Sequence, residues 1–409
     1  MSPLRRYLSD NASFLAAGAL LTFLSSFGQT FFISVFAGEI RAKFGLGHGE
    51  WGLIYSLGTT ASAIVMIWAG ALTDRIRVRV LGPVVLTGLA LACLSMAVNP
   101  VIWALPLVIF ALRFFGQGMT SHIAVVAMVR WFQATRGRAL AIAGLGFSAG
   151  EALLPIMFVT LMGFIDWRWL WVAAALLIMA GAPGLMRLLR QERTPQSMAE
   201  DMTSLGMGQR HWTRMQALHN PVFWCLLPAL LGPPAFNTAF FFHQVHYAEV
   251  TGWTHAQLVA LFPIYTGTAV AMMVASGWAL DRWGSLRLLP LVELPMAFGF
   301  VLFSFDGSPQ AVLAGFILLG IGAGAFGTLP NAFWAESYGT AHIGAIKALA
   351  AAVMVFGSAI GPAITGVLID RGFALTDQYF VIAGYFAFAS FGLVVATHLV
   401  RRALEPSAV

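Results

Sequence analysis

Two ionisable residues, Arg113 and Glu151, fall inside long apolar stretches, where a charge needs a partner or water. Gln117 follows Arg113 at i+4, on the same face of a helix. A cation at this depth either binds an anionic substrate or is tied to a carbonyl group or to Glu151. The carboxyl of Glu151 either carries a proton or balances the charge of Arg113. The chemistry indicated is ion and proton binding.

Four further polar residues in apolar stretches are candidate substrate contacts. Gln29 lies on a polar face of the first stretch, and Asn237 follows several Pro and Gly residues in the seventh. Tyr265, in the eighth, is equally well explained by ordinary packing. Lys347 lies three residues past the start of its stretch at 344. At the α-helical rise of about 1.5 Å per residue, it is only about 4.5 Å into the membrane-spanning segment. At that depth its side chain extends to water, acts in gating or binds substrate directly.

Other chemical groups in the chain are weaker signals. The pattern assigns no role to Glu293, in the ninth stretch. His243, His246 and Glu249 have the spacing of shared metal ligands, but no third strong ligand accompanies the histidines. We therefore expect no metal site and no cofactor. A paired nucleophile and base is not evident either, so we do not expect an enzyme.

The composition identifies the class of protein. Hydrophobic residues make up 59% of the 409 residues and charged residues 10%, against roughly 25% charged residues in soluble proteins. We therefore predict an all-α membrane protein, with stretches near the roughly 20 residues that cross a bilayer. The twelve stretches lie at 13–37, 50–73, 79–98, 101–130, 139–162, 168–189, 220–248, 256–280, 286–305, 309–334, 344–369 and 377–400.

The basic residues predict the orientation. If both termini are cytoplasmic, 17 of the 23 Lys and Arg residues flank the cytoplasmic ends and four lie in the opposite loops, while Arg113 and Lys347 lie within stretches. This bias predicts a multi-pass protein of a cell membrane, of the bacterial inner-membrane type. It also accounts for the net charge of +6, so the lipid bilayer, and not nucleic acid, is the expected partner.

The chain contains two similar charged turns, each with a glycine and an Asp-Arg pair after an apolar run. They consist of Gly70, Asp74 and Arg75 in the first copy and, 207 residues later, of Gly277, Asp281 and Arg282. A polar segment at 190–219 separates six stretches from six. We predict an N-terminal six-helix bundle at 1–189, a cytoplasmic linker at 190–219 and a C-terminal six-helix bundle at 220–409.

Paired glycines repeat in the two halves as well. Gly146 and Gly150 in the fifth stretch correspond to Gly357 and Gly361 in the eleventh. Glycines four residues apart let the backbones of two helices approach closely. We therefore predict tight helix contacts at both pairs.

The first charged turn, from Gly70 to Arg79, resembles the Gly-x-Leu-x-Asp-Arg-x-Gly-Arg-Arg signature of the major facilitator superfamily. Arg77 and Val78 stand where that signature has Gly and Arg, while the second copy keeps its glycine as Gly284. The resemblance implies two pseudo-symmetric six-helix bundles that rock about a central site lined by spans 1, 4, 7 and 10. The charged turns then either gate this movement or merely fix the topology.

Within that superfamily, the segments 113–118 and 130–140 are similar to the monocarboxylate and oxalate/formate branch. This resemblance implies a secondary active transporter that moves a small organic anion, a monocarboxylate, by alternating access with proton coupling or exchange. Arg113 would attract the anion, Lys347 would be a ligand of its carboxylate, and Glu151 would carry or balance the proton. The eighth stretch lacks the cation typical of the branch, which leaves an exporter of amphipathic drugs or metabolites as the alternative. A two-bundle carrier needs no partner chain, so we expect a monomer.

Overall fold

A computed structural model describes residues 3–70, 72–132, 135–190, 205–305, 307–339 and 343–404. The described chain is helical, and eleven of its helices are long and apolar enough to cross a membrane, with a bent helix pair supplying a twelfth. The twelve predicted spans are thereby confirmed. They are Ala12–Gly28 with Thr30–Phe44, His48–Ala69, Val78–Val98, Ile102–Met128, Gly137–Met162, Trp167–Leu188, Pro221–Phe242, His255–Leu280, Ser285–Phe303, Pro309–Tyr338, Leu349–Asp370 and Leu375–Leu404.

The first span is broken near its middle. Its two helices meet at an angle of 47°, and Gln29 between them has an extended backbone with φ −85° and ψ 155°. At the break, the backbone of Gly28 lies directly against Gly116 and the carbonyl of Leu112 in the fourth span. A Cβ at position 28 would collide with both, so this close approach requires glycine. The break therefore forms where the first span crosses the fourth.

The chain divides into two compact units, Met1–Glu200 and Asp201–Val409. In the first unit, span 1 packs against span 5, span 2 against span 4 and span 3 against span 6. In the second unit, span 7 packs against span 11, span 8 against span 10 and span 9 against span 12. The same set of helix pairs recurs after six spans, as the sequence repeat predicts.

The paired glycines lie at two equivalent helix crossings. A Cβ on Gly150 would collide with the Oγ of Ser26 in the first span, and a Cβ on Gly361 would collide with the carbonyl of Ala235 in the seventh. Because backbone or short side-chain atoms occupy the space of a Cβ, these positions require glycine. The close helix contacts predicted from the spacing are confirmed.

Part of the segment expected as a linker is folded. Residues 191–204 lie outside the described residues, whereas 205–219 belong to the second unit. Trp212 is only 9% exposed, and its backbone N–H donates to the carbonyl of Tyr338 at 3.0 Å. A capped helix, Arg214–Leu218, follows and leads into the seventh span. The folded segment 205–219 is therefore part of the C-terminal unit.

Candidate functional site

Arg113 is buried in the N-terminal unit, with 2% of its surface exposed. Its Nη1 donates to the carbonyl of Gly28 at 3.2 Å and to the Oγ1 of Thr30 at 3.3 Å. Its Nε has no hydrogen-bond partner in the described part of the chain. Both acceptors are neutral oxygens of the first span. The guanidinium is thus held in place by residues that do not neutralise its charge.

Tyr55 of the second span completes this cluster. Its ring centroid lies 5.4 Å from the Cζ of Arg113, a distance at which a cation interacts with an aromatic face. The hydroxyl of Tyr55 is 2.5 Å from the Oγ1 of Thr30. The guanidinium of Arg113 in the fourth span is therefore contacted by the first span, at its break, and by the second span, through Tyr55.

The local backbone at Arg113 is wider than an α-helix. Residues Arg113–Thr120 form a π-helix, in which hydrogen bonds join residues five apart. The segment includes Gly116, which lies against Gly28. The wider turn changes the direction of the side chains after Arg113, so the polar stripe expected at i+4 does not follow simple α-helical spacing. Gln117 lies within this segment and is half-buried.

The two remaining candidates described for the N-terminal unit are Gln29 in the first span and Glu151 in the fifth. Gln29 is buried at the break of the first span, next to the two Arg113 acceptors. Glu151 is half-buried in the fifth span and makes contacts of its own, one residue after Gly150, which touches the first span. The hydrogen bonds and ring contact of Arg113 go to Gly28, Thr30 and Tyr55, so the described geometry does not join Arg113 to Glu151 as an ion pair.

Three of the candidate residues belong to the C-terminal unit. The Nδ2 of Asn237 faces the sulfur of Met296 in the ninth span at 4.0 Å. Tyr265 is buried, and its ring centroid lies 5.1 Å from that of Phe241. Lys347 is exposed and makes contacts of its own, two residues before the eleventh span begins. Each of the three residues therefore has contacts of its own.

The histidines of the seventh span serve different contacts. The ring Nε2 of His243 lies 2.9 Å from the carbonyl of Pro362 in the eleventh span. The Nδ1 of His246 lies 3.7 Å from a carboxylate oxygen of Glu249. The described residues include no group of three or more His, Cys, Asp or Glu side chains with metal-binding geometry.

The first charged turn is anchored to the fourth span. Arg130 donates from Nη1 to the carbonyl of Thr73 at 2.5 Å, and the hydroxyl of Thr73 donates to the carbonyl of Gly70 at 2.8 Å. Arg75 is exposed. The side chain of Asp74 lies outside the described residues. The turn is therefore held by a cation from the end of a span that also contains Arg113.

The second charged turn is anchored to the tenth span by different groups. Ser285 donates from its hydroxyl to a carboxylate oxygen of Glu336 at 2.5 Å. Arg282 lies 5.8 Å above the ring of Trp278, and Gly277 has open space around its α-carbon. The side chain of Asp281 is outside the described part. The two turns are thus attached to equivalent spans through different side chains.

The backbones of the two turns differ where their sequences differ. Gly284 has φ 74° and ψ 161°, a conformation essentially restricted to glycine. The equivalent residue of the first turn, Arg77, has φ −63° and ψ 142°, which any residue adopts. Replacement of the signature glycine by Arg77 therefore coincides with a change of backbone conformation.

Twelve spans in two units with the same helix pairing define a multi-pass membrane protein built from two repeats. The sequence profile of the Major Facilitator Superfamily matches residues 18–362 and 268–408. The chain belongs to this superfamily and is a transporter of that class.

Comparison with individual proteins supports the fold. A curated relative from Thermoproteus tenax, described as an uncharacterized 38 kDa protein in a 23S RNA operon, is 25% identical over 405 residues, covering 97% of this chain and 98% of the relative. A bacterial homologue of the human lysosomal transporter Spinster, inward-facing and unoccupied, has a TM-score of 0.71 at 15% identity with all of both chains covered. The nucleoside transporter NupG has a TM-score of 0.71 at 15% identity, covering 94% of this chain and 98% of NupG.

The sequence left Arg113 either to bind an anion or to be tied to a carbonyl or to Glu151, and in the structure its partners include a carbonyl, that of Gly28. The carbonyl of Gly28 and the hydroxyl of Thr30 became partners through the break in the first span, and Tyr55 reaches them from the second. The polar face of the first stretch, which includes Thr30, was the available signal. Which carbonyl would accept from Arg113 could not be found from the sequence, because the exposure of the Gly28 carbonyl depends on the break.

Proposed function

We propose that the protein carries a small organic anion, a monocarboxylate, across the cell membrane by alternating access. The observation behind this proposal is the cluster at Arg113. A buried guanidinium with neutral partners and an unpaired Nε leaves both charge and donor capacity for a ligand. A carboxylate accepts hydrogen bonds from a guanidinium and neutralises it. The resemblance to the monocarboxylate branch supports the same ligand class.

The partners of Arg113 favour a role in binding over a role in packing alone. Carbonyl and hydroxyl oxygens orient the guanidinium but contribute no negative charge, so its burial remains costly, at least ~2.5 kcal/mol on insertion scales. A bound anion would offset this cost. Gln29, at the break beside the same acceptors, provides an amide for the remaining carboxylate lone pairs.

Glu151 is the proposed proton carrier. It is half-buried in the fifth span, directly after the glycine that contacts the first span. A carboxyl in this position can exchange its proton when the neighbouring helices move, and an anion and a proton together cross without net charge. We propose proton-coupled transport, or exchange of one anion for another, with the charged turns acting as gates and both termini in the cytoplasm.

Export of amphipathic compounds is the second candidate. An apolar cavity of about 380 Å³ lies in the C-terminal unit. Its lining includes Phe236, Phe373 and Val381, with the exposed Asp377 at the same cavity. An aromatic pocket beside a carboxylate suits an apolar ligand with a cationic group.

The two candidates are separated by transport into proteoliposomes. A panel of labelled short carboxylates is tested with an inward proton gradient, with and without an uncoupler, and in exchange for internal anion. The proposal predicts uptake of at least one carboxylate, either driven by the gradient and abolished by the uncoupler or dependent on internal anion. If no carboxylate is taken up in either mode, the anion assignment is wrong; efflux of amphipathic cations would then favour the exporter.

A further inference from the structure

Glu293 is a fully buried carboxyl in the ninth span. Its exposed fraction is 0%, and neither Oε1 nor Oε2 has a hydrogen-bond partner in the described part of the chain. An ionised carboxylate buried without donors costs several kcal/mol. The group therefore needs a ligand that removes or balances its charge.

The helix is interrupted at this residue. A tight turn at Leu289–Leu291 is followed, after Val292 and Glu293, by the helix Leu294–Phe303. Pro290 and Pro295 flank the interruption, and each lacks the N–H that would continue the hydrogen-bond ladder. The hydroxyl of Ser390 in the twelfth span donates to the carbonyl of Pro290 at 2.5 Å. Breaks of this kind in membrane helices are tolerated where neighbouring helices supply such hydrogen bonds.

The described residues on the helices around Glu293 provide no counter-charge. The ninth span packs against the tenth and twelfth. In the twelfth span, the hydroxyl of Tyr385 donates to the carbonyl of Pro228 at 2.9 Å, so its proton is not directed at Glu293. The ionisable side chains described on the tenth span, Glu336 and Tyr338, lie in its last turn, and Glu336 accepts from Ser285.

On the ninth span itself, the charged residue nearest in sequence to Glu293 is Arg287, six positions earlier. It lies in the first turn of that span, in the helix before the interruption. On the twelfth span, the cationic side chains His398, Arg401 and Arg402 lie in its last two turns. The seventh span also contacts the ninth, through Phe240 and Phe300, and carries no Lys, Arg or His within Pro221–Phe242. The described parts of these spans therefore bring no cation to the carboxyl.

A metal ion would need more than this carboxyl. Hard cations take six or more oxygen ligands, whereas a thioether, that of Met296, lies one turn beyond Glu293, and the nearby Asn237 directs its Nδ2 at that sulfur. The described residues form no cluster of three metal-binding side chains. A proton needs no further ligand and removes the charge outright.

We propose that Glu293 is a proton-binding site of the C-terminal unit, and that it holds a proton in the conformation described here. The site is separate from Glu151, which lies in the other unit. The claim concerns protonation alone, so it can be tested without a transported substrate and stands or fails independently of the proposed function.

Infrared spectroscopy of the purified protein in lipid provides the test. A protonated carboxyl has a C=O stretching band distinct from that of a carboxylate, and the band shifts when H₂O is replaced by D₂O. We expect such a band at neutral pH in the wild type, its loss in Glu293→Gln, and its retention in the control Glu249→Gln, which alters an exposed carboxylate. Equal acid bands in the wild type and Glu293→Gln would overturn the proposal.

A second variant and a salt titration complete the test. If Glu293→Gln does not fold, Glu293→Met takes its place, because the Met side chain has no C=O group and suits an apolar environment. The wild-type band is also recorded while NaCl is increased at constant pH. We expect it to be unchanged; loss of the band with added Na⁺ would show that a metal cation competes for the site and would overturn the assignment to a proton alone.

Discussion

The guanidinium of Arg113 donates at 3.2 Å to the carbonyl oxygen of Gly28, the residue at which the first span breaks. In an unbroken α-helix this carbonyl would accept from the backbone four residues later. The break frees the oxygen, and Arg113 of the fourth span occupies it. The position of the cation and the shape of the first span therefore depend on each other.

Loss of the groups that orient Arg113 should weaken substrate binding without unfolding the protein. Tyr55→Phe removes the hydroxyl that contacts Thr30, and Thr30→Val removes an acceptor of Arg113. A hydrogen bond of this kind contributes about 0.5–1.5 kcal/mol, so we expect KM to rise about two- to twelve-fold with kcat little changed.

The matched control for these variants is Tyr379→Phe. The hydroxyl of Tyr379 is buried without a hydrogen-bond partner among the described residues. Its removal should leave the KM for uptake unchanged. A KM for Tyr55→Phe that equals that of the wild type would contradict a positioning role for the hydroxyl.

Glu151→Gln should separate driven transport from exchange. Gln keeps the size of the side chain but cannot release a proton, so accumulation under an imposed proton gradient should be lost while exchange of labelled for unlabelled anion continues. The measurement is uptake in proteoliposomes with each driving condition, and Glu249→Gln is the control. Accumulation by Glu151→Gln at the wild-type level would exclude this residue as the proton carrier.

Gly361→Ala should destabilise the C-terminal unit. The added Cβ would collide with the backbone carbonyl of Ala235, so the seventh and eleventh spans must move apart, at a cost of about 1–3 kcal/mol. Gly384→Ala is the control because its Cβ would enter open space. It should not destabilise, since alanine favours a helix by about 1 kcal/mol over glycine. Thermal unfolding in detergent should show a lower Tm for the first variant only.

Gly284→Ala tests the difference between the two charged turns. At φ 74° and ψ 161°, a side chain strains the backbone by about 1–3 kcal/mol, so we expect a lower Tm and slower transport. Arg77→Gly changes the equivalent position, where the backbone is ordinary, and should lower the Tm by less. Equal effects of the two substitutions would show that the turns do not depend on their backbone conformations.

The spans were predictable because their length and hydropathy are imposed by the bilayer. The contacts of Gly150 and Gly361 were predictable as well, because a spacing of four puts both glycines of a pair on one face of a helix. The repeat of the charged turns identified the superfamily. These features depend on local sequence or on the repeat, and the structure preserves them.

Features that depend on packing were not predictable. Nothing before Gln29 marks a break as a proline would, and the break follows from the close approach of Gly28 and Gly116. The orientation of Asn237 toward Met296 and the complete burial of Glu293 depend on which helices meet at the ninth span. Hydropathy does not record these pairings.

The central claim is that the charge of Arg113 binds the substrate anion. It is tested most directly by equilibrium binding of the carboxylate found in the uptake panel to Arg113→Gln, Arg113→Lys and a control, Arg371→Gln, which alters an exposed cation. A hydrogen bond to a charged group contributes about 1.5–3 kcal/mol. We therefore predict that Arg113→Gln raises Kd about 12- to 150-fold, that Arg113→Lys retains part of the affinity, and that Arg371→Gln binds like the wild type. Wild-type affinity in folded Arg113→Gln would contradict the account.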